Sequence, residues 1–219
     1  MNFQPKCLLS DCDGVIVDSE IIAEAVVIEI LGKIFGEGSV AHEIADNFGI
    51  RVTEILAQLE LTHAQPLHPK ERARVLQDID LRTAREAPPI PGVRQAYESL
   101  GLPVAVVSNS SPERIRTSVE RAGLSHLVGH HMYSGDEVPS PKPAPDVYLL
   151  AATKLGMAPS DCLVIEDSVT GVMAASAASM KVIGFLGGSH IKEGHGHRLR
   201  AAGAVAVIHH FEDLGSLLA

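Results

Sequence analysis

Cys7-Leu8-Leu9-Ser10-Asp11-Cys12-Asp13-Gly14 is the stretch on which the fold turns. Its apolar half, Cys7-Leu8-Leu9, is short, follows Pro5 and ends abruptly at acidic residues, the pattern of a buried strand. Past it the rhythm changes. From about Ser19 to about Glu86, acidic residues such as Glu24, Glu29, Glu54 and Glu71 and several Arg and Lys residues are interleaved with Ile, Val, Leu and Ala at helical spacing. Ile44, Phe48, Ile55, Leu56 and Leu59 could line one side of helices there, and strand signals are weak.

Pro88-Pro89-Ile90-Pro91-Gly92 then punctuates the chain. After it the pattern predicts strands over 102–107, 131–133, 162–165, 182–185 and 205–208. Helices are predicted over 112–122, 146–155 and 171–178. Strands alternating with helices imply a parallel sheet with right-handed crossovers. The first strand stands apart from the others by the whole helical block. The simplest reading is an α/β fold, a Rossmann-like parallel-sheet core over 1–17 and 88–219 with a helical cap domain, 18–87, inserted into it.

Open parallel sheets place ligands at the carboxyl ends of their strands, and four segments at such ends carry unusual polar residues. In the first, Asp11 and Asp13 are two apart on an extended backbone and can face one crevice, while Gly14 permits a sharp turn. Two close carboxylates repel unless a cation or shared proton intervenes, and Mg²⁺, a hard oxygen-liganded ion, would supply that cation. The second is Ser108-Asn109-Ser110-Ser111-Pro112, where Ser111 suits a helix cap and Pro112 the first helical position. Free N–H groups at a helix start bind phosphate. The third is Pro141-Lys142-Pro143-Ala144-Pro145, a lysine stiffened by three prolines. The fourth, Glu166-Asp167-Ser168, again ends an apolar run in paired carboxylates. Singly, these segments also read as a solvated turn, ordinary capping or a rigid loop. In order, at successive strand ends and with complementary charges, they point to phosphoryl chemistry around a divalent metal.

The remaining composition removes other classes. There are 18 basic and 27 acidic residues, a formal net charge of −9, and no basic stripe, so no nucleic-acid partner is expected. No apolar run approaches membrane-spanning length, so no membrane partner is expected either. Cys7, Cys12 and Cys162 form no CxxC pair and leave an odd count, which argues for a reducing compartment, with the cytoplasm as the expected location. Oligomeric state is left open.

With Asp11-Cys12-Asp13-Gly14, Ser108-Asn109, Lys142-Pro143 and Glu166-Asp167 in that order, the chain resembles the haloacid dehalogenase-like hydrolases. The resemblance is closest to the branch of β-phosphoglucomutase-like proteins and sugar-phosphate phosphatases. It implies that Asp11 attacks phosphorus and forms an aspartyl-phosphate, and that Asp13 serves as general acid and then base. It implies that Asp11, the Asp13 backbone carbonyl and Asp167 hold Mg²⁺, with Glu166 supporting the metal from behind. Ser108, the Asn109 amide and Lys142 would grip the phosphoryl oxygens. The physics agrees, since phosphoryl transfer needs in-line positioning and neutralised oxygen charge. Ser10 stands where relatives usually carry an apolar strand residue, and little effect is expected from it.

The implied activity is a Mg²⁺-dependent phosphatase acting on a small-molecule phosphate ester, a sugar or sugar-acid phosphate. The alternative is a phosphomutase. The mutases of this branch carry His twelve residues after the nucleophile, where this chain has Ala23. Dehalogenation is disfavoured by the acid/base Asp13, and a non-catalytic binding protein by the intact nucleophile. Arg51, in the expected cap, is a candidate contact for an anionic substrate. Gly194-His195-Gly196-His197-Arg198, with His190 nearby, invites a metal reading, but it lacks structural-zinc spacing and reads as a flexible surface loop.

Overall fold

The computed structural model describes residues 4–46 and 52–218. The chain divides into two compact units, 1–20 with 87–219, and 21–86. The first carries six parallel strands: β1 (Cys7–Ser10), β2 (Val104–Ser108), β3 (Met132–Ser134), β4 (Cys162–Glu166), β5 (Lys181–Phe185) and β6 (Ala206–Ile208). Their order across the sheet is β3-β2-β1-β4-β5-β6. The strand that opens the chain therefore lies at the centre, flanked by β2 and β4.

All residues of β1, β2 and β4 are buried, as expected of strands covered on both faces. Alternate side chains of a strand point to opposite faces. Cys7, Leu9, Ala105, Val107 and Val164 pack with residues of α8 (Asp146–Leu155), α9 (Val169–Ala177) and α10 (His195–Ala202). Ser10, on the other face, meets Tyr97 of α5 (Val93–Leu100), and Tyr97 sets its ring edge-on to Phe211. Helix α6 (Pro112–Arg121) begins as expected, the Ser111 hydroxyl accepting from the Arg114 amide. The short helix α7 (Ser125–Val128) and α11 (Asp213–Leu218) complete this unit.

Two expectations change here. Ser10 is not a tolerated oddity in an apolar strand. Its single hydroxyl proton goes to the Asp11 carbonyl at 2.7 Å, so the buried Tyr97 hydroxyl is the donor in the 2.7 Å contact between them. The stretch from Gly194 to Arg198 is not a loop. His195 opens α10, because Leu199 one turn on is buried beside β5 and pins the segment as a helix.

The second unit is helical: α1 (Glu20–Phe35), α2 (Glu37–Asp46), α3 (Val52–Thr62) and α4 (Pro69–Glu86). Val26, Val27, Leu31 and Phe35 pack with Val40, Ile55, Leu56, Leu59 and Ile79 in a core of their own, and Ile44 leans on it. Phe48 and Arg51 lie outside the described residues. Arg72 binds Glu60 at 2.6 Å, and Glu60 also accepts from the Leu67 amide, joining α4 to the end of α3.

Removing the Ser10 hydroxyl strands the buried Tyr97 O–H. Ser10→Ala is expected to cost about 1–3 kcal/mol of unfolding free energy in urea. The double variant with Tyr97→Phe is expected to recover part of that loss. A Ser10→Ala protein as stable as wild type would show that this contact carries no weight.

Candidate active site

Strand register brings three of the four polar segments together. Ser10 is paired with Val106 on one side and Ile165 on the other. Asp11, Ser108 and Glu166 thus emerge side by side at the carboxyl edge of the sheet, and the Asp11 amide donates to the Ile165 carbonyl at 2.9 Å. The fourth group, Lys142, arrives from the loop before α8. Asn109 fixes that loop by a reciprocal pair: its side-chain amide donates to the Lys142 carbonyl (3.0 Å) and accepts from the Lys142 amide (2.9 Å).

The Lys142 ammonium is buried and uses all three of its protons. It binds Asp11 Oδ1 at 2.6 Å, Glu166 Oε1 at 2.6 Å and the Val107 carbonyl at 2.8 Å. Glu166 is engaged on every side. Its Oε1 also accepts from the Tyr148 hydroxyl at 2.9 Å, and its Oε2 accepts from the Ser168 amide and hydroxyl. It therefore holds Lys142 and the start of α9 and has little left to offer a ligand.

Charge at this edge is unbalanced. Asp11, Glu166 and Asp167 each bring an oxygen within 4.8 Å of the others, three carboxylates facing the single ammonium of Lys142. Burial, then repulsion from Glu166, raises the Asp11 pKa well above the usual carboxylate range, with Lys142 opposing. Asp167 is pushed up to about 6, chiefly by burial, while a bond from His190 pulls the other way. Buried carboxylates crowded in this way, with oxygen-only donors, fit a hard divalent cation. Gly14 shapes the same spot. Its φ is +73°, and a Cβ there would lie 1.9 Å from Asp167 Oδ2, so only glycine lets this turn pass the carboxylate.

Asp13 is held in its charged form. Burial alone would favour its neutral form. The Arg114 guanidinium, at 2.5 and 3.2 Å from Oδ1, and the Ser110 hydroxyl, at 2.7 Å from Oδ2, outweigh that and lower its pKa. In this arrangement Asp13 is a carboxylate, poised to accept a proton. Arg114, Tyr148 and His190 were not singled out as site residues from the sequence. Ser110 lay within a quoted segment without a role.

A crevice of about 330 Å³ opens at this edge, lined by Asp11, Asp13, Ser108, Asn109, Lys142 and Asp167 among others. It gathers the side chains singled out in the sequence around one space, although the Lys142 protons are taken up by Asp11, Glu166 and the Val107 carbonyl. Cys12, between the two aspartates, is fully buried and faces the core. No helix among the described residues is long and apolar enough to cross a membrane.

The model of the haloacid dehalogenase-like hydrolase family matches residues 5–179. The chain belongs to the haloacid dehalogenase-like hydrolases. It is 31% identical over 186 residues, 81% of its length, to the bifunctional riboflavin kinase/FMN phosphatase of Arabidopsis thaliana, but spans only 48% of that protein. It is 30% identical to hexitol phosphatase B of Escherichia coli (strain K12), covering 79% of this chain and 80% of that one. A solved hydrolase of the same family from Deinococcus radiodurans R1, with bound phosphate and sodium, is 31% identical with a TM-score of 0.74. The match covers 100% of this chain and 96% of that one.

Breaking a buried ion pair from one side leaves uncompensated charge. Lys142→Met is expected to lower unfolding free energy by about 3–5 kcal/mol. Saturating MgCl₂ should then raise the Tm of the variant more than that of wild type, because the cation meets more unbalanced charge. An equal or smaller rise would contradict this account of the acidic edge.

Proposed function

We propose that this phosphatase hydrolyses a small phosphate ester, a sugar or polyol phosphate, through an aspartyl-phosphate on Asp11. The observation that carries the reading is Asp11 itself, a buried carboxylate at the end of the central strand, oriented by Lys142 and facing the crevice. Pure binding requires no such nucleophile. Hexitol phosphatase B among the relatives supports a polyol phosphate.

The residues fit Mg²⁺, with Asp11, the Asp13 backbone carbonyl and Asp167 to hold it, and the ion would supply neutralisation of phosphoryl oxygen charge. An Asp11 oxygen attacks phosphorus as the bond to the leaving oxygen breaks, and Asp13 delivers the proton that oxygen needs. Asp13 must leave its Arg114 contact to carry that proton, which it takes from solvent or keeps from the attacking water of the preceding turnover. In the second half water attacks the same phosphorus, Asp13 takes the water's proton, and Asp11 departs as a carboxylate with release of inorganic phosphate. Returned to Arg114 and Ser110, Asp13 is held in the form that this half requires. Ser108 and the Asn109 amide line the crevice where the phosphoryl oxygens sit. Lys142 acts by holding Asp11 in line and by its charge.

The helical unit serves as a cap that limits the substrate to small molecules, and the chain works in the cytoplasm. Ala23, which can neither donate nor accept a proton, favours hydrolysis over mutase chemistry.

Asp11→Asn should abolish phosphate release from a panel of hexitol and hexose phosphates while leaving the circular-dichroism spectrum intact. Chelation of divalent cations should do the same to the wild type. Loss of a covalent nucleophile costs orders of magnitude, so more than about a tenth of wild-type kcat remaining in the variant would overturn the assignment.

A further inference from the structure

Two histidines outside the recognised motifs converge on Asp167. His190 Nε2 lies 3.0 Å from Asp167 Oδ2, and His195 Nε2 lies 2.6 Å from the Asp167 backbone carbonyl. The tautomer of His195 follows from its neighbours. The Arg198 guanidinium donates to His195 Nδ1 at 2.9 Å, so Nε2 carries the hydrogen and donates to the carbonyl. In His190 the carboxylate sets the tautomer: Asp167 Oδ2 can only accept, so Nε2 carries the hydrogen, while Nδ1 is buried with no partner among the described residues.

The segment between β5 and α10 is built to deliver His190. Ser189 anchors it to Asp18, donating from its amide at 3.2 Å and from its hydroxyl at 2.8 Å. Gly188 clears the space. A Cβ there would lie 2.9 Å from His190 Cε1 and Nδ1 and 3.2 Å from the Gly14 carbonyl. The imidazole thus occupies a slot between two glycine backbones, with Asp167 at its donor end.

We propose that His190 is a positioning residue for the metal site: its Nε2–H fixes the Asp167 carboxylate so that the other oxygen is presented to the cation. The inference rests on the reading of Asp167 as a ligand of the metal. A hydrogen bond from the far side of a ligand orients it and spares the cation the entropy of ordering it. His195 does the corresponding work on the backbone, so Asp167 is held at both its main chain and its side chain. The histidine-rich segment is then neither a second metal centre nor a passive loop. It is the brace of the first centre, supplied by a part of the chain far from the motifs.

The test is Mg²⁺ affinity measured by titration calorimetry on the intact chain, without substrate. His190→Ala and the bulkier His190→Leu both remove the donor, and His190→Gln keeps an N–H of similar reach. Circular dichroism and Tm in chelator identify which variants are folded. Each folded donor-less variant is expected to bind Mg²⁺ about ten- to a hundredfold more weakly, and the Gln variant to fall closer to wild type than either. A Kd that is unchanged or tighter in either folded donor-less variant would overturn the proposal. Asp167→Asn separates the two levels. If it binds Mg²⁺ as wild type does, the metal-site reading itself falls, and the role of His190 with it.

Discussion

The buried ammonium of Lys142 organises the rest of the catalytic edge. An unpaired charge in a protein interior costs several kcal/mol, so the chain must supply partners. It supplies three, from three neighbouring strands: Asp11 after β1, the Val107 carbonyl in β2 and Glu166 at the end of β4. Each partner is fixed in turn, Glu166 by Tyr148 and Ser168 and the lysine's own loop by Asn109. The arrangement sets the direction of the Asp11 carboxylate without spending a surface side chain on it. It also gathers more negative charge than one lysine can balance, and that remaining charge is what suits the edge to a cation.

Sheet order gives this interaction its place. The strand carrying Asp11 lies between β2 and β4 because successive crossovers grow outward from it in both directions. The loops that follow the three central strands then share one crevice. Asp13, two residues past Asp11, is held by Arg114 and Ser110 as a carboxylate. In the proposed reaction that is the state the hydrolytic half requires, and release of Asp13 from Arg114 would prepare the first half.

Much of this was legible in the sequence, and the reasons are local. Continuous apolar runs ending in Asp, Ser or Glu mark buried parallel strands and their reactive ends together, which is how β1, β2 and β4 announced themselves. The Ser111-Pro112 start of α6 was legible as capping chemistry. Other features depend on contacts that no window of sequence contains. Arg114 reaches Asp13 across 101 positions and Ser189 reaches Asp18 across 171. Helix α10 carries histidines and glycines that argue for a loop, and its one buried anchor, Leu199, overrides them. Ser10 looked like a misplaced polar residue because its partner, Tyr97, sits on a helix 87 positions away that the periodicity did not reveal.

The central claim is that a covalent bond forms between Asp11 and phosphorus. Its most direct test is to quench the enzyme in acid during turnover of a hexitol phosphate and map the labelled peptide by mass spectrometry. The account requires one acid-stable, base-labile phosphoryl group on the peptide holding Asp11, absent from Asp11→Asn. A phosphoryl group mapped to another residue, or steady turnover in which Asp11 never carries one, would contradict it.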